Sequence, residues 1–149
     1  MTTLKQINEF IESQPIAVVG VSRNPKKFGY AAYKELRDKG MKLVPVNPLT
    51  DEILGEKCYR SVTTLPAEIK GIIILTKKSQ TASVVKEAKA KGIKQIWIQQ
   101  MAESAEALQE LKESDINFVT KECILMHYKA NGMHKFHGRL KKFFGKFPK

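Results

Sequence analysis

The chain has 149 residues, 42% hydrophobic and 28% charged, with 26 Lys or Arg against 15 Asp or Glu and a net charge of +11. That is the size and balance of one domain with a core of its own, and no apolar run approaches the roughly 20 residues of a membrane-spanning helix. The two cysteines, Cys58 and Cys123, stand far apart in no metal-ligand spacing, and Met1 to Gln6 lack the apolar core of a signal peptide, which excludes a disulfide scaffold and predicts a reduced, cytoplasmic protein.

Thr3 to Ser13 predicts a short amphipathic helix with Leu4, Ile7, Phe10 and Ile11 on one face and Thr3 as N-cap. Ile16 to Val19, bounded by Pro15 and Gly20, predicts a strand covered on both faces. A turn at Gly20 leads through a polar, basic loop into a helix from Gly29 to Lys39, with Tyr30, Tyr33 and Leu36 as its apolar stripe and Gly40 closing it. Met41 to Val46 predicts a second strand, ended by Pro45-Val46-Asn47-Pro48. Ile53 to Tyr59 fits no regular element, and Ser61 to Pro66 suggests a turn with a brief helix. Gly71 to Leu75 predicts a third strand, and Ser79 is the expected cap of a helix that runs to Lys91 and ends at Gly92. Gln95 to Ile98, with the only Trp at 97, predicts a fourth strand, Ser104 to Ser114 a helix, and Asn117 to Val119 a fifth strand.

This alternation predicts an α/β fold: a Rossmann-like, doubly wound sheet of about five parallel strands with helices on both faces, plus a helix at each end of the chain. Ligands of such sheets bind beyond the carboxyl ends of the strands, at the switch point. Residues 1–128 read as one domain with its core at 14–127, and 129–149 as a basic amphipathic helix or tail. From Met126 onward there are seven basic residues and no acid, so the preceding 125 residues hold 19 basic against 15 acidic. Phe136, Leu140, Phe143, Phe144 and Phe147 follow helical spacing there. Such a segment suits an anionic membrane surface or a partner helix, and docking on this chain or on a second copy is the favoured reading. No base-reading motif accompanies the charge, which makes nucleic acid an unlikely partner.

The loop after the first strand carries the chemistry. Gly20 permits close approach of backbone to ligand, Ser22 and Asn24 are small hydrogen-bonding residues, and Arg23, Lys26 and Lys27 are cations. The helix that follows Phe28, opening at Gly29, turns free N–H groups outward, the basis of an anion site. A nicotinamide or flavin dinucleotide fingerprint needs G-x-G-x-x-G and an acid after the second strand. Here the second glycine is Ser22, and the strand ends in Val46-Asn47-Pro48. No P-loop sequence is present.

The segments Ala17 to Pro25, Phe28-Gly29-Tyr30, Val44 to Pro48, Gly55 to Tyr59 and Trp97 to Gln100 with Glu103 resemble the small bacterial CoA-binding domain proteins. These are similar to the CoA-binding domain of succinyl-CoA synthetase alpha subunits and of acyl-CoA synthetases. The resemblance spans roughly Ser13 to His127, and departs at Met101, where the family commonly has Gly. It implies coenzyme A or an acyl-CoA as cofactor, with Gly20, Val21, Ser22 and Arg23 forming the phosphate and pantetheine turn. It further implies that Val46, Asn47 and Pro48 line the adenosine side, that Leu75, Thr76 and Lys77 close the pocket, and that Gln99 and Gln100 belong to the same crevice. CoA carries a ribose 3′-phosphate besides its pyrophosphate, a load that suits Arg23, Lys26 and Lys27.

Other candidates are weaker. Cys123 follows the fifth strand, where a thiol could pair with the pantetheine sulfur; a buried core residue is the favoured reading, as for Cys58. His134 and His137 share a helix face, and with His127 they read as solvated or capping rather than metal ligands, so no metal is expected. Glu103 reads as a first-turn acid favoured by the helix dipole. No catalytic constellation is visible, and the chain is too short for the phosphohistidine and nucleotide-grasp regions of full CoA ligases. The leading expectation is therefore a CoA or acyl-CoA binding module without catalysis of its own, alone, as a homodimer or beside a partner subunit. The alternatives are a peripheral interaction protein acting through its basic tail on anionic lipid or nucleic acid, and an NAD(P)-binding oxidoreductase-like domain.

Overall fold

The computed structural model describes residues 2–129, so the basic amphipathic segment, with His134 and His137, lies outside the described residues. In chain order the elements are α1 (Leu4–Glu12), β1 (Ile16–Val19), α2 (Phe28–Asp38), β2 (Leu43–Val46), β3 (Glu52–Ile53), β4 (Glu56–Lys57), a 3-10 turn (Val62–Thr64), β5 (Gly71–Ile74), α3 (Lys78–Lys91), β6 (Gln95–Gln99), α4 (Ala105–Lys112), β7 (Asn117–Glu122) and a second 3-10 turn (Ile124–Met126). Five strands form one parallel sheet in the order β2-β1-β5-β6-β7, and β3 and β4 pair apart from it. In the centre, Val18 stands between Pro45 and Ile73. The strand order reverses between β1 and β5, so the switch point lies where the loops after these two strands diverge.

Strand alternation sorts the core into two layers. Ile16, Val18, Ile73 and Trp97 face one side, where they meet Ile7 and Phe10 of α1 and Tyr33 and Leu36 of α2. Ala17, Val19, Ile72, Ile74, Ile96 and Ile98 face the other, against Val85 and Ala88 of α3 and Leu111 of α4. Both faces of β1 and β5 are therefore buried, as their unbroken apolar runs require. Phe10 and Trp97 meet at 5.4 Å between ring centroids, tilted by 57°, a geometry that adds to their area burial.

Of the two predicted N-caps, Thr3 holds and Ser79 fails, while Ser104, read only as the start of a helix, proves to be a cap. Thr3 accepts from the Gln6 amide and the Gln6 side chain accepts from the Thr3 amide, closing a capping box. Ser104 caps α4 through the Ala107 amide. Ser79, the expected cap of α3, lies inside that helix, whose N-cap is Lys77 with no side-chain bond.

Ile53 to Tyr59, unclassified from sequence, is a two-residue hairpin with Leu54 at φ 52° and Gly55 at φ 78°. Two successive positive φ values mark a type I′ turn, usually signalled by Asn-Gly rather than Leu-Gly. β7 runs three residues past its predicted end. Its register against β6 shifts between Trp97 and Gln99, with Lys121 at φ 61°. This bulge leaves Lys121 exposed and turns Glu122 inward.

Tyr33 is fully buried, and its hydroxyl has no hydrogen-bond partner among the described residues. Burial first, then the Glu56 carboxylate, pushes its phenol from 10.0 up to about 12. The folded chain thus holds this proton more tightly than the unfolded one. The associated stability is complete below pH 10 and is lost as pH rises from 10 through 12. Tyr33→Phe should raise stability at pH 7 by up to about 1 kcal/mol, because an unpaired buried hydroxyl is removed. It should also remove about 1.4 kcal/mol of alkaline destabilisation at pH 11, midway through the shift. Urea midpoints of both proteins at pH 8 and pH 11 check this; parallel losses would refute it.

Candidate functional site

The loop after β1 is built by close packing. Gly20 has φ +97°, and a Cβ there would lie 3.0 Å from the Leu75 carbonyl carbon and 3.1 Å from the Thr76 nitrogen. A Cβ on Gly29 would overlap the carbonyl oxygen of Gly20. The two glycines thus let the turn, the first turn of α2 and the end of β5 meet backbone to backbone. Between them the loop holds itself: Ser22 Oγ accepts from the Asn24 amide at 3.0 Å, and Asn24 Oδ1 from the Lys26 amide at 2.9 Å. Asn47 ties in the end of β2, donating through Nδ2 to the Val21 carbonyl at 2.7 Å while Oδ1 accepts from the Leu49 amide at 2.7 Å. Pro48 is held through its carbonyl, which accepts from Arg60 Nη1 at 2.8 Å. The Arg60 guanidinium also bonds Asp51 at 2.8 Å, and holds that carboxyl below its ordinary range.

Charge is distributed unevenly around this edge. Away from it, most cations are matched: Lys34 with Asp38, Lys39 with Glu35, Lys86 with Glu106, Lys89 with Glu110 and Lys94 with Asp115. Arg23, Lys26, Lys27, Lys77 and Lys78 are all exposed, and none forms an ion pair among the described residues. The same five flank the starts of α2 and α3, whose N-caps, Lys27 and Lys77, supply no side-chain bond. Two helix N-termini with unbonded donors therefore face a ring of uncompensated positive charge.

Beside the loop lies a cavity of about 300 Å³. Phe28 from α2 forms one side, Leu75 and Thr76 continue β5, and Gln99 to Ala102 continue β6. Gln99 to Ala102 is a turn closed by the Ala102 amide on the Gln99 carbonyl at 2.9 Å. Met101 takes its third position with φ 73°, where a glycine is preferred.

The expected site residues thus fall into three groups. Phe28, Leu75, Thr76, Gln99 and Gln100 line the cavity. Val46, Asn47 and Pro48 lie across β1 from it and join Gly20 and Val21 through the Asn47 bond and the Gly20 amide, 3.3 Å from the Val46 carbonyl. Ser22 and Asn24 shape the loop, and Arg23, Lys26, Lys27 and Lys77 stand exposed around it. Met101 and Ala102 complete the cavity and were not among the expected site residues; their signal was the departure from glycine at 101.

Other candidates find structural roles. Cys58 and Cys123 are buried free thiols. Burial pushes the Cys58 thiol up, which keeps it protonated and unreactive. Cys123 Sγ accepts from Gln99 Nε2 at 3.0 Å, so Gln99 stands between it and the cavity. His127 is not solvated: its Nε2 lies 3.0 Å from Glu122 Oε2, with both side chains 6% exposed, and its ring lies against Trp97. Glu103 is not in the first turn of α4, where Glu106 stands. It precedes the cap, with Oε2 buried and without a hydrogen-bond partner among the described residues. No helix among the described residues is long and apolar enough to cross a membrane.

Residues 14–129 match the family model described as CoA binding domain. The chain is 37% identical over 93 residues to the alpha subunit of an ADP-forming acetate–CoA ligase II from Pyrococcus furiosus, covering 62% of this chain but 20% of that subunit. It therefore spans about a fifth of the ligase subunit. It is 32% identical over 120 residues to the uncharacterized protein YneT of Bacillus subtilis, covering 80% of this chain and 89% of that protein. Among solved structures, a conserved hypothetical protein from Pyrococcus furiosus superposes with a TM-score of 0.71 at 41% identity, over 74% of this chain and 95% of the other. The parallel sheet, its glycine-packed switch-point loop and these matches agree, and the chain belongs to the family of CoA-binding domains.

Proposed function

We propose that the chain is a binding module for CoA or an acyl-CoA that holds the ligand and leaves bond-making chemistry to a partner. The observation that carries this reading is the set of five exposed cations, unpaired among the described residues, around two uncapped helix starts at the switch point. A ligand with a pyrophosphate and a separate phosphate supplies the missing negative charge. In this reading the Gly20 to Gly29 loop takes the phosphates, Val46, Asn47 and Pro48 border the adenosine, and Leu75, Thr76, Lys77, Gln99 and Gln100 border the pantetheine arm. Asn47 counts against a nicotinamide cofactor. It stands where an acid would hold the ribose hydroxyls, and its one acceptor atom, Oδ1, already accepts from the Leu49 amide while Nδ2 donates to the Val21 carbonyl. The ligase subunit that the chain resembles over part of its length supports an assembly in which catalytic segments reside on another polypeptide.

Calorimetry of the full chain with CoA, dephospho-CoA and NAD tests the reading. CoA should bind, dephospho-CoA about tenfold or more weakly, since a charge-assisted phosphate contact contributes about 1.5–3 kcal/mol, and NAD not measurably. Absence of CoA binding at millimolar concentration would overturn the proposal. Equal affinity for CoA and dephospho-CoA would remove the 3′-phosphate from the basic loop.

A further inference from the structure

The cavity beside the loop is too small and too apolar for the charged parts of CoA. At about 300 Å³ it sits at the low end of pockets that enclose a whole small ligand, so it accepts only a terminal segment. Among the described residues four large apolar side chains are exposed: Leu4, Leu49, Phe28 (51%) and Met101 (78%). Two of those four line this single cavity, from opposite elements. Leu75 and Ala102 add to its apolar wall.

Its polar groups can be assigned from their protons. Thr81 Oγ1 lies 2.7 Å from the Ala102 carbonyl and 3.2 Å from that of Lys77, so its single proton is committed to a carbonyl. It therefore accepts from Thr76 Oγ1 at 3.1 Å, which leaves the Thr76 oxygen an acceptor at the cavity wall. The amide of Gln99 is used on both ends, by Cys123 Sγ and the Ile124 amide. The Gln100 side chain has no hydrogen bond among the described residues, so its carboxamide keeps both its N–H donors and its carbonyl acceptor. The cavity thus offers the Thr76 hydroxyl as an acceptor, the Gln100 carboxamide with its donors and its acceptor, and an otherwise apolar lining.

That pattern matches the end of an acyl-pantetheine: an amide N–H for Thr76, a thioester carbonyl for Gln100, and an alkyl chain for Phe28 and Met101. Met101 also holds a backbone conformation that disfavours a side chain by about 1–2 kcal/mol. Strain of this kind gathers at ligand clamps. We infer that the cavity holds the acyl end of a short, linear acyl-CoA, clamped between Phe28 and Met101, so that the preferred ligand is the acylated rather than the free coenzyme. The inference rests on the CoA-binding reading above and adds to it the substrate class and the residue that selects it.

The test is calorimetry of the full chain with CoA, acetyl-CoA, butyryl-CoA and succinyl-CoA, followed by the same series on Met101→Gly. Affinity should rise from acetyl-CoA to butyryl-CoA by about fourfold per methylene, the 0.8 kcal/mol of a buried methylene. Succinyl-CoA, with a carboxylate at the chain end, should lose that gain. In Met101→Gly, a substitution its backbone favours, the gain should fall below about twofold per methylene. If neither CoA nor any thioester binds, the reading of the whole site fails. If CoA binds and butyryl-CoA binds no better, the acyl cavity alone is refuted. A gain unchanged in Met101→Gly would overturn the clamp.

Discussion

Gly29→Ala is expected to weaken CoA binding by more than tenfold and to destabilise the fold by about 2 kcal/mol, within the 1–3 kcal/mol typical of inserting an atom into a packed site. The clash is with the carbonyl oxygen of Gly20, a main-chain atom that no rotamer change can move away. Either α2 withdraws from the turn or the turn withdraws from β5, and the spacing between Gly20, Ser22 and the first α2 amides is lost in both cases. Ala31→Gly, at an exposed position in the same helix, provides the comparison. It should cost about 1 kcal/mol through helix propensity alone and leave CoA affinity unchanged. Urea unfolding and calorimetry on the two variants separate the effects. Equal binding by Gly29→Ala and the parent chain would show that the loop is not the phosphate site.

His127→Leu should destabilise the protein by about 3 kcal/mol, the order found when one member of a buried pair is removed. Its partner oxygen on Glu122 is 3.0 Å away, and both side chains are almost fully enclosed. The same residue's main-chain carbonyl accepts from Trp97 Nε1 at 3.1 Å and from the Gln100 amide at 3.1 Å. A displaced Glu122 would therefore disturb the floor below Gln99 as well as the edge of the sheet. Replacing both members, Glu122→Leu with His127→Leu, should recover most of the loss, since no carboxylate is left buried. Chemical denaturation of the single and double variants decides it. A single variant as stable as the parent would mean that the pair contributes nothing to the fold.

The fold was legible because its strands are apolar runs with unambiguous punctuation. Ile16 to Val19 between Pro15 and Gly20, and Gly71 to Leu75 before Thr76, admit no helical reading. The hairpin at Leu54-Gly55 was not legible, because its first turn position is a leucine held at positive φ by the paired strands rather than by its own preference. The extension of β7 was hidden for a related reason: a bulge at Lys121 breaks the alternation that would have marked residues 120 to 122 as strand. At the site, glycines and cations announced the loop, whereas the cavity depends on Met101 and Ala102, two residues without chemistry of their own. His127 illustrates the limit of reasoning from residue type, since its burial is decided by a carboxylate that the bulge turns inward.

The five unmatched cations at the carboxyl edge have a thermodynamic corollary. In the empty protein they repel one another, and dissolved ions soften that repulsion, so added salt favours the unliganded fold. Once a polyphosphate sits among them the same ions compete with it, and added salt works against the complex. Ionic strength therefore acts with opposite sign on the vacant and the loaded molecule. On the proposed function, a solution that makes the free chain most robust is the one in which it would hold CoA least tightly.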